Sequence, residues 1–130
     1  MSDAMTFELV SPERKLASSE AESVTIPGIA GDMTAMADHA PFLTTMRPGF
    51  VTVRKSGSED QYFVTGGFAE ISDNVVSVLA EEAVEGSAVT AEFLDGHVTA
   101  AEAALEAAGE DRKQAALQRL NDFVSLKSTL

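Results

Sequence analysis

The sequence predicts a mainly β protein of the α+β class. An antiparallel β-sandwich or barrel is expected over residues 1–85, and an antiparallel helical hairpin over residues 86–130. Two observations carry this. Before Glu85, short runs rich in β-branched and aromatic residues are punctuated by turn residues at close intervals. After Gly86 the turn residues thin out, alanine takes over, and apolar positions recur by threes and fours instead of by twos.

Taken in order, Phe7 and Leu9 alternate with Thr6, Glu8 and Val10 as in a half-buried strand, and Ser11-Pro-Glu-Arg14 supplies a turn. A short strand around Leu16–Ser19 leads into Ser23-Val-Thr-Ile26, which stops at Pro27-Gly28. Phe42–Met46 and Phe50–Lys55 flank the turn Arg47-Pro-Gly49. The polar segment Ser56-Gly-Ser-Glu-Asp60 reads as a hairpin loop leading to Gln61–Thr65. Only Asp73-Asn74 separates Phe68–Ser72 from Val75–Ala80, which predicts a tight turn.

In the tail, Leu94, Val98, Ala101, Leu105 and Ala108 form one helical stripe, with Gly109 placed for a C-cap. Glu110-Asp111 suits the start of a second helix, whose stripe is Leu117, Leu120 and Val124, widened by Phe123 and Leu126. Much of the first helix's apolar surface is alanine, at positions 91, 100, 101, 103, 104, 107 and 108. A buried methyl contributes only ~0.8 kcal/mol, against about 1.5–3 for a leucine-sized side chain. Gly96 costs about 1 kcal/mol more. The hairpin is therefore expected to rest on the sandwich with modest affinity and to be detachable.

The net charge of −12 argues against a nucleic-acid partner and against electrostatic adhesion to anionic lipid. With no cysteine, disulfides, zinc–thiolate sites and thiol nucleophiles are excluded. Met-Ser-Asp-Ala-Met-Thr at the start lacks the features of a secretory leader, and no apolar run approaches the ~20 residues of a membrane span. A soluble, cytoplasmic protein is expected, reaching a membrane only through a partner.

Catalytic signals are weak. Gly49-Phe-Val-Thr-Val-Arg-Lys-Ser56 spaces Gly, Lys and Ser as a phosphate loop does, but it lacks the second glycine and its middle is strand-forming. Asp32, Asp38 and His39 offer metal-compatible ligands without a tight spacing motif. His39 and His97 are the only histidines, and no serine sits in a Gly-x-Ser-x-Gly elbow. What remains is the stretch from Pro27 to Thr44. Gly28 and Gly31 permit unusual backbone geometry there, and Met33 and Met36 suit either an irregular contact surface or the core below. A free-standing ligand- or metal-binding sandwich is the alternative reading.

An ordered set of pieces resembles the epsilon subunit family of the rotary proton-driven ATP synthase. The pieces are Phe7-Glu-Leu-Val-Ser-Pro12, Val24-Thr-Ile-Pro-Gly28, Gly31-Asp-Met33, Asp38-His-Ala-Pro-Phe-Leu-Thr44, Arg47-Pro-Gly49, Val64-Thr-Gly-Gly-Phe-Ala-Glu-Ile71 and Asn74-Val-Val-Ser-Val-Leu-Ala80. The resemblance implies a sandwich of about ten strands followed by the helical hairpin. It implies a subunit without catalysis of its own, at the foot of the central stalk on the cytoplasmic face of the bacterial inner membrane. There the sandwich would bind the gamma subunit and the c-ring, couple proton translocation to ATP synthesis, and through its helices restrain ATP hydrolysis.

Residue by residue, the resemblance puts Gly31, Asp32 and Met33 in a turn presented to the ring loops, and His39 where the family meets gamma. Asp38 stands where the family more often has glycine. Some members bind ATP through a motif like Leu-Asp-x-x-Arg-Ala, but the equivalent here is Val89-Thr-Ala-Glu-Phe-Leu94. Thr90 replaces the aspartate and Phe93 the arginine, so no guanidinium is available to grip phosphate, and no cofactor is expected. In the family the last helix offers basic residues to a catalytic subunit. Here Arg112, Lys113, Arg119 and Lys127 are offset by Glu110, Asp111 and Asp122, so contact with alpha and beta subunits is expected to be weak.

Overall fold

The computed structural model describes residues 5–130. Met1–Ala4, on which the leader reading partly rests, lie outside the described residues. The expected alternation appears first in β1 (Met5–Val10), where Met5, Phe7 and Leu9 point inward and are buried. β2 (Lys15–Ala21) pairs back on it, with a bulge where Leu9 faces Ala17 but Val10 faces Lys15. Glu22 then turns the corner into β3 (Ser23–Gly28).

The remaining strands are β4 (Gly31–Met36), β5 (Phe42–Met46), β6 (Gly49–Lys55), β7 (Ser58–Val64), β8 (Gly67–Ser72), β9 (Val75–Ala80) and β10 (Ala83–Glu85). Their hydrogen-bonded order is β10-β7-β6-β3-β5-β8-β9-β1-β2, with β4 beside β3. Pairing is antiparallel except between β1 and β9, which run parallel, so the purely antiparallel expectation is corrected at one seam. There the N–H of Thr6 donates to Asn74 O (2.9 Å) and β9 enters beside the first strand of the chain.

Between the layers lie Phe7, Leu9, Val24, Ile26, Val51, Val53, Val64, Ile71, Val76 and Val78, each buried. Removing such a side chain from water contributes about 1.5–3 kcal/mol. Tyr62 stacks on Phe7 at 6.0 Å, and partial burial raises its hydroxyl pKa above the ordinary 10.0.

Two strands were not expected, β4 and β10, and one loop is shorter than expected. Lys55 pairs with Ser58 across Ser56-Gly57, so Glu59 and Asp60 belong to β7. Opposite charges explain why so polar a segment is extended: Arg54 Nη2 meets Glu59 at 2.9 Å and Lys55 Nζ meets Asp60 at 2.7 Å. The hydrogen bond that Lys55 donates to Asp60 raises the Lys55 pKa.

Gly67 is the position where glycine is indispensable. Its φ is +129°, and a Cβ there would sit 2.1 Å from the carbonyl oxygen of Leu79 on the paired strand.

The chain divides into two compact units, Met1–Gly86 and Ser87–Leu130. The second holds α1 (Ala91–Ala107) and α2 (Lys113–Ser128), which fold back as a hairpin. Thr90 caps α1, its hydroxyl accepting from the Phe93 N–H at 3.1 Å. Leu94 and Ala101 are buried, and Val98, Leu105 and Ala108 are half-buried, so the predicted stripe faces inward.

The predicted Gly109 cap is corrected: Ala108 ends the helix in an extended conformation (φ −74°, ψ 136°) that demands no glycine. The α2 stripe is also rotated. Phe123 is buried with Ala116, Leu120 and Leu126 half-buried, while Leu117 and Val124 are exposed, because the largest ring sets the inward face. His97 stacks on Phe123 at 5.0 Å with Phe93 edge-on to it at 5.0 Å, and the Arg119 guanidinium lies 5.2 Å over Phe123. Lys127 pairs with Asp95 across the two helices.

Candidate functional site

The stretch after Pro27 folds as a β-hairpin instead of the expected loop. Ile29 and Ala30 form its tip, and Gly31 opens β4 at φ +133°, a value that side chains beyond glycine rarely adopt. The turn assigned to Gly31, Asp32 and Met33 is therefore the start of a strand. Asp32 is exposed opposite Pro27, whereas Met33 is half-buried and packs on the core opposite Ile26. The two methionines part ways, since Met36 is exposed. Thr25 and Thr34 hydroxyls meet at 2.8 Å across the pair, and the exposed tip is held to β5 by the Ile29 N–H donating to Thr45 O at 3.0 Å.

Beyond β4 the chain turns sharply. Asp38 has φ +66°, a left-handed conformation that glycine adopts freely and that aspartate is among the few other residues to tolerate. Its N–H donates to Asn74 Oδ1 at 2.6 Å. The His39 N–H donates to Met36 O at 3.1 Å, and the His39 ring meets Ala40 O at 2.7 Å through Nδ1. A carbonyl only accepts, so Nδ1 carries the proton.

Next to this segment in sequence begins β5, part of a sheet face that the sequence reading left unnamed. Ala69, Ile71, Val76 and Val78 point into the core, so their neighbours point out. Phe68 is paired with both Thr45 and Leu79, and Leu79 with Val10. Leu43, Phe68 and Leu79 are 66%, 52% and 51% exposed, an unusual load of large apolar side chains for outward strand positions. A signal existed: Phe68-Ala69 and Val78-Leu79 break the apolar–polar alternation that a half-solvated strand should keep.

Among the described residues no three His, Cys, Asp or Glu side chains gather as a metal cage, which removes support from the metal reading of Asp32, Asp38 and His39. Among the same residues no helix is long and apolar enough to cross a membrane. An open depression of about 480 Å³ is lined by residues from Ser11–Arg14 and Glu81–Val84, none of them in the hairpin tip or the apolar face. Thr90 and Phe93 both have structural partners, the first as the helix cap and the second against His97.

Residues 4–86 match the family model described as "ATP synthase, Delta/Epsilon chain, beta-sandwich domain". The chain is 46% identical over 130 residues to ATP synthase epsilon chain 1 of Cereibacter sphaeroides, covering 99% of this chain and 98% of that one. It is 48% identical over 128 residues to the ATP synthase epsilon chain of Fuscovulum blasticum, with 98% and 97% covered. Among solved structures, a chain of the Euglena gracilis mitochondrial ATP synthase (OSCP/F1/c-ring, rotational state 1) superposes with a TM-score of 0.78 at 25% identity. That match covers 99% of this chain and 82% of the other.

Proposed function

Because the chain belongs to the ATP synthase epsilon family, we propose that it is a non-catalytic rotor subunit linking gamma to the c-ring, and that gamma docks on the outer face of β5, β8 and β9. The observation that carries this is the exposure of Leu43, Phe68 and Leu79 on one face. Apolar area of that kind on a folded domain marks a partner surface. His39 leads through Ala40 and Pro41 into β5, where its ring can join the same contact. The hairpin tip at Ile29-Ala30, with Gly31, Asp32 and Met33 behind it, is the part offered to the ring loops.

A closely packed sandwich transmits torque because it deforms little under load. The subunit so coupled lies on the cytoplasmic face of the membrane, attached only through the complex. The helical unit is the regulatory one, detachable and weakly restraining hydrolysis through alpha and beta subunits. Its lack of an arginine at Phe93 argues against tight ATP binding.

Co-expression with gamma followed by gel filtration tests the reading. The double variant Phe68→Asp/Leu79→Asp places two charges on the face and should abolish co-migration, with the melting temperature kept because both positions face solvent. Truncation after residue 86 should leave co-migration intact. A charged face that still binds gamma at wild-type strength would overturn the assignment.

A further inference from the structure

We propose that Asn74 is a positioning residue that ties the Asp38–His39 segment to the β8–β9 hairpin, so that segment and apolar face reach a partner as one body. The proposal rests on the docking reading above. Asn74 serves three elements at once. It occupies the turn between β8 and β9 with φ +61°, its backbone oxygen accepts the Thr6 N–H at 2.9 Å, and its Oδ1 accepts the Asp38 N–H at 2.6 Å.

Residues 37–41 belong to no strand, so their backbone donors depend on chance neighbours or on built ones. The His39 N–H finds Met36 within its own segment, whereas the Asp38 N–H reaches across the fold to Asn74. Asp38 also holds a left-handed φ that costs free energy in a residue with a side chain, and such a conformation persists where surrounding groups specify it.

The position makes two chemical demands together: tolerance of a left-handed backbone, and a short side chain bearing an acceptor. Glycine meets the first alone, and serine or threonine the second alone. Asparagine and aspartate meet both, but aspartate would add a third carboxylate beside Asp73 and Asp38. Asparagine is the residue that satisfies both without that repulsion.

The first measurement needs no variant. In the free wild-type chain, amide hydrogen exchange at Asp38 should be slowed despite the exposure of its segment, and exchange at the unprotected rate overturns the proposal. Asn74→Gly keeps the turn and deletes the acceptor. It should speed exchange at Asp38 about tenfold and weaken gamma binding about three- to tenfold, with exchange in the core strands unchanged.

His39→Ala then separates positioning from docking. If Asn74 acts through the segment, Asn74→Gly should add little to the binding loss already caused by His39→Ala, a non-additive cycle. Full additivity overturns the proposal. A protected Asp38 amide with gamma affinity unchanged in both single variants would instead sink the docking role of His39, leaving the hydrogen bond as a structural tie only.

Discussion

In the sandwich, Phe7, Leu9, Val24, Val51, Val53, Val64, Val76 and Val78 have lost all contact with solvent. Across both helices only Leu94, Ala101 and Phe123 are buried. The sandwich fills its interior with β-branched side chains whose rotamers are already restricted, so their ordering costs little entropy. The helices present alanine along most of α1 and depend on a few anchors. The contrast shows that one chain can join a β unit held by many fully buried side chains to a helical unit held by a few.

The largest expected effect comes from emptying each anchor. Phe7→Ala should cost the sandwich about 3–5 kcal/mol in chemical denaturation. Phe123→Ala should melt the helical signal at lower temperature while leaving the β transition in place. A single shared transition in both variants would break the comparison.

Next is Gly67→Ala, whose Cβ collides with the Leu79 carbonyl at a backbone angle closed to alanine. A loss of about 3 kcal/mol is expected, confined to the β transition. Thr90→Ala removes the α1 cap and should cost the helical unit about 1 kcal/mol, read as lower helicity by circular dichroism. The smallest effect is alkaline. Burial raises the Tyr62 pKa above its unfolded value, so the unfolded chain loses that proton first. Stability should begin to fall as pH rises past about 10, with a shallower slope in Tyr62→Phe.

The strands that could be read from the sequence were those whose periodicity matched their burial. β1, β6 and β9 bury every second residue, so local pattern and tertiary role agree. β4 also alternates, with Met33 and Ala35 inward, but its outward Met36 is apolar and its first residue is glycine, which disguised the period. Glu59 and Asp60 looked like loop because their partners Arg54 and Lys55 lie across a turn. The parallel seam between β1 and β9 has no local signature, since nothing near Phe7 specifies Val76 as its neighbour.

The candidate site divides in the same way. Asp32, Asp38 and His39 stood out by residue type and resemblance, whereas Leu43, Phe68 and Leu79 went unnamed, although Phe68-Ala69 and Val78-Leu79 break the expected alternation. The tie between Asn74 and Asp38 spans 36 positions and was beyond any windowed reading.

That seam also governs how the molecule is born. Thr6 leaves the ribosome early, yet its parallel neighbour Val75 emerges only near the end of the β unit. Until then the leading hairpin exposes a bare edge, and loop closure over so long a separation is slow. The pairing of β1 must wait for β9, which makes closure of this seam a late and non-local step in assembling the β unit.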